Sequence, residues 1–291
     1  MTTAPPIKPR RVRFQWDGTP LHWVPGDPQT THTINVMHLL LPAGERWFCE
    51  VYRQALPLVT DDQLREDVKG FIGQEAVHGR SHAAVLDHLA EQGIDTRPYT
   101  RRIDWLFGRL LSDEPFGRPL PRWYRRLWLE ERLATIASIE HFTTVLGVWV
   151  LDAHGLDEAG ADPVMMDLFR WHGAEEVEHR SVAFDLYQHL SGSWVRRCLS
   201  MVVASLVLVH LWVAGTRFLM ANDPTSPGKA TWRRYLRGAR RGRLPTVHQL
   251  CGTLPAYYRA TYHPSVQGDT AKALAYLATS PAALQAESVA A

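Results

Sequence analysis

Apolar residues recur every three to four positions through most of the chain. No segment alternates apolar with polar as a half-buried strand would. Pro42-Ala43-Gly44-Glu45 opens an amphipathic stretch, ERWFCEVYRQALPLV, which predicts a first core helix. A second helix is expected after Thr60, with Asp61 and Asp62 as its start signal and Gly93 as its stop. Its apolar positions (Leu64, Val68, Phe71, Ile72, Ala76, Val85, Leu89) keep helical spacing. A short helix is expected near 101–111, followed by a break at Pro115 and Pro119. A long helix then runs from about Pro121 to Ala153, and another from Asp162-Pro163 to about Leu190, ended by Ser191-Gly192. Residues 1–35 carry six prolines and no helical period, so they read as an irregular surface arm.

Long helices joined in antiparallel pairs predict an all-α bundle. The expected organisation is an arm (1–35), a four-helix bundle (36–192), and a C-terminal part (193–291) packed on it, all as one domain. That part holds a hydrophobic helix, a basic segment and further helices.

The pattern also carries chemistry. Glu75 and His78 are three apart, as are Glu176 and His179, so each pair shares one helix face. A single Glu-x-x-His is weak evidence. Two copies, each preceded upstream by an isolated glutamate (Glu45, Glu140), match the ligand set of a di-metal carboxylate bundle. Glu45 precedes Glu75 by thirty residues, and Glu140 precedes Glu176 by thirty-six. Either gap suffices to finish a helix, turn, and return to the same level. Glu50 rivals Glu45, but it lies about 140° further round the helix, so both cannot face the centre. Apolar neighbours flank all these carboxylates, and burying them unpaired would cost several kcal/mol each without a cation.

His82 and His172 share helix faces with the two pairs, and His141 adjoins Glu140. They read either as groups that orient the ligands or, for His82 and His172, as an additional imidazole ligand. Gln74 and Glu175 directly precede the ligand glutamates. They are placed to accept the proton on the partner histidine's second nitrogen.

Five blocks in order carry a family resemblance: LPAGERWF (41–48), FIGQEAVHGRSH (71–82), SIEHFTTVLG (138–147), WHGAEEVEHRSVAFDLY (171–187) and RATYHP (259–264). With them the chain resembles the bacterial "predicted metal-dependent hydrolases", within the ferritin-like superfamily. The resemblance covers roughly residues 12–265. It implies a ferritin-like fold and a di-metal centre ligated by Glu45, Glu75, His78, Glu140, Glu176 and His179.

Four carboxylates and two imidazoles nearly neutralise two divalent ions. Mixed oxygen and nitrogen donors suit two irons, with manganese or zinc as alternatives. Glu75 and Glu176 are expected to bridge, with Glu45 and Glu140 terminal. Such a site suits dioxygen activation and oxidation of a small apolar substrate, with an electron donor as partner. It equally suits attack by a metal-bound hydroxide on an ester or amide. Fold-level analogy favours the oxidation reading, with a hydrolase as its alternative and a non-enzymatic metal-binding or membrane-attached bundle as a third. Trp47, Phe48, Phe142 and Trp149 are candidate pocket walls, although aromatics at helical spacing more often fill a core.

Charge and cysteines narrow the setting. The net charge of +2 and the lack of a binding motif argue against nucleic acid. Cys49, Cys198 and Cys251 form no paired framework, and MTTAPPIKPRRVRF has no apolar secretory core, so a cytoplasmic location is expected. Nineteen residues, Cys198–Thr216, carry no acid, lysine or arginine. Three environments suit such a stretch: the bundle interior, a homodimer interface, or a membrane. The segment 232–245 interleaves Arg233, Arg234, Arg237, Arg240, Arg241 and Arg243 with Trp232 and Tyr235. A membrane surface is therefore an expected partner through residues 198–245.

Overall fold

The computed structural model describes residues 7–290, with side chains to 288. The first six residues of the expected arm lie outside the described residues. Among the described residues there is no strand. The helices are α1 Pro28–Ala55, α2 Asp62–Glu91, α3 Arg97–Trp105, α4 Arg122–Leu151, α5 His154–Glu158, α6 Pro163–His179 and α7 Val182–Leu190. They continue as α8 Trp194–Asn222, α9 Trp232–Arg240, α10 Val247–Cys251, α11 Leu254–Tyr257, α12 Thr270–Leu277 and α13 Pro281–Ala290.

The start signals act as capping groups. Asp61 accepts from Leu64 N at 2.8 Å, and Asp162 accepts from Val164 N and Met165 N. Such caps contribute about 1 kcal/mol each.

Two boundaries differ from the sequence pattern. α1 does not open at Pro42 but at Pro28, where Asp27 accepts from Thr30 N at 3.2 Å. Asp-Pro is a strong start signal. Pro42 lies inside the helix, where it removes one backbone hydrogen bond. Burial of Leu39, Leu40, Ala43, Trp47 and Phe48 on either side holds the helix through that gap. The arm is accordingly shorter than residues 1–35. The helix expected to run unbroken to Leu190 is interrupted after His179. There the Arg180 guanidinium bonds the Val177 carbonyl and Thr270 Oγ1, taking an acceptor the next turn would use.

α1 packs along α2, α4 along α6, and α8 lies over α1 and α4. Trp23, Trp47, Trp171, Tyr52, Phe71 and Leu133 fill the core. α4 and α6 cross with their backbones in contact. A Cβ on Gly147 would sit 2.5 Å from the Gly173 carbonyl oxygen. That crossing brings Glu140 and Glu176 to one level. The arm crosses α2 at Gly70, where the Ile7 carbonyl occupies the space a Cβ would need. Arg10 thereby reaches α6.

Candidate metal centre

α1, α2, α4 and α6 bring Glu45, Glu75, His78, Glu140, Glu176 and His179 together, each buried. Glu50 is exposed. His179 Nε2 lies 3.5 Å from Glu75 Oε1, 3.4 Å from Glu140 Oε2 and 3.4 Å from Glu176 Oε2. His78 Nδ1 lies 3.3 Å from Glu75 Oε1 and 3.7 Å from Glu176 Oε1. Glu75 and Glu176 thus approach both histidines, whereas Glu140 approaches His179. Glu45 groups with His78 and His172.

The polar partners around this cluster are arranged in a crossed pattern. Glu175 on α6 accepts from His78 Nε2 on α2 at 2.8 Å. Gln74 Oε1 on α2 accepts from His179 Nδ1 on α6 at 2.8 Å. Each contact fixes a tautomer and leaves the other ring nitrogen facing the centre. Arg10 donates to Glu175 at 2.7 Å and to Glu178 at 2.8 Å, and Gln74 Nε2 donates to Glu178 at 2.6 Å. The arm therefore seals this end of the cluster and balances the buried Glu175 carboxylate.

Facing inward, both oxygens of Glu45 and Glu75, Glu140 Oε2, Glu176 Oε2, His78 Nδ1 and His179 Nε2 are buried without a hydrogen-bond partner. Unpaired buried acceptors are costly, so their gathering into two groups, one with Glu45 and His78 and one with Glu75, Glu176 and His179, fits cations. Burial raises the pKa of Glu75 and Glu140 to about 8, and repulsion from Glu176 adds to it. Burial and repulsion from Glu75 raise Glu45 as well. Burial opposes the ionised form of Glu176 too, but His179 and His172 hold its pKa below the ordinary range. Oxygen and nitrogen donors in this number suit iron, manganese or zinc.

Of the additional histidines, His172 belongs to the inner set. Its Nε2 lies 2.8 Å from Glu176 Oε1 and 3.8 Å from Glu45 Oε1. His82 stands behind it, with Nε2 2.6 Å from His172 Nδ1. His141 is a correction to expectation: it faces the C-terminal segment, 3.0 Å from the Tyr262 hydroxyl and 2.9 Å from Thr253 Oγ1. Its place next to Glu140 in the chain turns it about 100° round the helix.

Three groups went unread in the sequence. His38 on α1 bonds His82 Nδ1 to Nδ1 at 2.7 Å, completing a buried row His38–His82–His172–Glu176. One proton per ring satisfies the row, each ring donating toward the ionised Glu176. Burial keeps the rings neutral, with His38 down to about 3. The Asp27-Pro28 start would have placed His38 on a core helix. The buried Tyr52 hydroxyl lacks a partner, and burial, then Glu140, raises its pKa. Arg10 carries no sequence signal, because its partners lie 165 and 168 residues away.

An apolar cavity of about 210 Å³ ends at Glu176 and His172. Phe142 and Trp149 line it, whereas Trp47 and Phe48 are in the core instead. Thr143, also in its wall, donates to the Glu140 carbonyl at 3.1 Å.

No curated protein and no solved structure matches the chain. A family model described as "Predicted metal-dependent hydrolase" matches residues 8–268. That description agrees with the hydrolase alternative and gives no support to the oxidation reading. With four helices delivering a buried Glu/His cluster, and the match spanning most of its length, the chain belongs to the predicted metal-dependent hydrolase family.

Proposed function

We propose that the chain is a two-metal hydrolase of ferritin-like architecture, acting on an ester or amide that carries an apolar group. Glu45, Glu75, His78, Glu140, Glu176 and His179 are its ligands, with His172 as a third imidazole on the His78 side. What supports this reading is the convergence of partnerless buried donor atoms at the end of an apolar cavity. Glu75 and Glu176 are assigned as bridging because they approach both histidines, Glu45 and Glu140 as terminal.

When bound, divalent cations supply Lewis acidity and lower the pKa of a coordinated water. The chain's own residues do the rest. Glu175 and Gln74 hold His78 and His179 in one tautomer, and Arg10 fixes the position of Glu175 through its ion pair. The cavity walls bind the apolar part of the substrate and exclude bulk water. His82, backed by His38, holds the His172 ring so that its Nε2 faces the centre.

Elemental analysis of wild type and Glu140→Ala, with ester hydrolysis under strict anaerobiosis with manganese or zinc, tests the proposal. About two metals per wild-type chain, fewer in the variant, and oxygen-independent turnover are expected. Many irons per chain, or none, would assign the bundle to storage or to structure.

The second reading, oxidation of an apolar substrate by dioxygen, draws on one observation. Apart from Glu176 and His172, the cavity wall offers only Thr33, Thr143, Tyr235, Cys251, Ser205 and two indoles as polar groups. Turnover that stops without dioxygen would favour it.

A further inference from the structure

α8 is long and apolar enough to cross a membrane. It is nevertheless fastened along one side to the helical core. Arg196 pairs with Glu130 and Glu131, Tyr99 donates to Leu211 O at 2.6 Å, and Trp212 donates to Thr33 O at 2.8 Å. Its other side is an exposed stripe of Val195, Leu199, Val202, Leu206, Val209 and Val213, with Leu206 69 % exposed. Such a helix can lie in an interface but cannot leave the core to span a bilayer without breaking those contacts.

The surroundings of the stripe are basic. Residues 194–263 hold eleven lysines and arginines and one acid, in a chain whose net charge is +2. That acid, Asp223, is buried between His22 and His32 at 2.6 and 2.8 Å. Arg233, Arg237, Arg240 and Arg241 are exposed on or just after α9. Trp232 beside them is 60 % exposed and stacks on Tyr235.

The cavity connects this face to the metal centre. Ser205, Leu208, Val209 and Trp212 of α8 line it together with Tyr235, and so do Leu250 and Cys251 of α10. Val209 and Cys251 are both solvent-exposed, and Val209 belongs to the stripe. The outward apolar face and the entrance to the cavity therefore coincide.

We propose that this face rests on an anionic lipid surface with α8 parallel to it. A bilayer-dissolved compound with an apolar chain then enters between Val209 and Cys251 and reaches Glu176 without crossing water. The docking stands on the surface alone, while the role of the entering molecule as substrate rests on the two-metal hydrolase reading. A second copy of the chain seated on the stripe would cover the entrance, so the lipid surface is the occupant that leaves the cavity usable.

Flotation with vesicles of phosphatidylcholine, with and without phosphatidylglycerol, tests the docking. The anionic vesicles should capture the protein at least tenfold better. Leu199→Glu/Leu206→Glu and Arg233→Glu/Arg240→Glu should each lose that capture with unchanged helicity and melting temperature. A polarity-sensitive fluorophore on Cys251, in a Cys198→Ser background, should shift to the blue on anionic vesicles. Entry is read without turnover, from tryptophan quenching by a bromine-labelled long-chain ester in the vesicles. The quench should shrink in Trp149→Phe, which removes an indole from the cavity wall. Equal flotation of wild type and both double variants, or no capture at all, overturns the docking. A wild-type dimer that Leu206→Glu converts to monomer, with no vesicle capture, assigns the stripe to a second copy. Capture with a Trp149-independent quench overturns the entry route. Metal analysis of the same samples separates the two proposals, because a metal-free chain that still floats sinks only the hydrolase.

Discussion

Glu175 on α6 accepts the Nε2 proton of His78 on α2 at 2.8 Å, and one residue before Glu75 the same helix α2 returns the contact through Gln74 to His179. Each Glu-x-x-His helix thus orients the imidazole of the other. The Glu175 carboxylate tolerates burial because Arg10 donates to it at 2.7 Å. Cluster geometry and arm docking are in this way one network.

Removing an orienting partner of this kind typically costs ten- to a hundredfold in metal affinity. Glu175→Ala is expected to weaken metal binding in about that range while keeping the fold. Arg10→Ala should do so more mildly, since it leaves Glu175 in place. Competition with a chromophoric chelator reads both values. Wild-type affinity in Glu175→Ala would show that the contact does not orient His78.

The metal-free protein should lose stability as pH rises from about 6.5 to about 8. Burial lifts Glu75 and Glu140 to about 8, so the folded state holds protons that the unfolded chain, with ordinary carboxyls near 4.3, has released. Their contribution is present at low pH and lost as pH climbs through the folded value. His38 and His141, held at about 3 and about 4 by burial, work in the opposite direction but only below about 6.5. Melting temperatures in a chelator should therefore fall across that window, and saturating metal should abolish the fall. A rising curve in chelator would contradict the protonated carboxyls.

Gly147→Ala places a methyl group against the Gly173 carbonyl, where backbone leaves no room. Overpacking of this kind costs about 1–3 kcal/mol. Metal content should drop as well, because the crossing sets the level of Glu140 against Glu176. Unfolding in urea gives the first quantity and elemental analysis the second. An unchanged midpoint would mean the helices can separate without penalty.

Asp223→Asn should loosen the junction of the arm, α1 and the end of α8. Asp223 accepts from His22 and His32, and these bonds hold its pKa below the ordinary range although burial opposes it. Its contribution is therefore present above about 3.9 and disappears as pH falls through the lower folded value. At neutral pH the variant should lose about 1.5–3 kcal/mol, the worth of a charged hydrogen bond. Proteolysis of the arm offers a second readout, and cleavage as slow as in wild type would argue that Asp223 does not tether it.

The sequence by itself determined the helices and the candidate ligands. Periodicity and capping residues are local, so α2, α4 and the start of α6 could be placed from neighbouring residues. Two Glu-x-x-His pairs with upstream glutamates state a pattern whose spacing only a returning helix can use. Other features belong to the tertiary structure because their partners are distant or their outcome depends on packing. Pro42 stays helical because the core grips both sides of it, and the helix breaks after His179 because Arg180 finds Thr270. His141, beside Glu140 in the chain, faces Tyr262, whereas His38, which no pattern singled out, closes the histidine row. Helical spacing tells which residues share a face. Which face turns toward the buried Glu/His cluster, and which toward the apolar cavity beside α8, is settled only when the helices have packed.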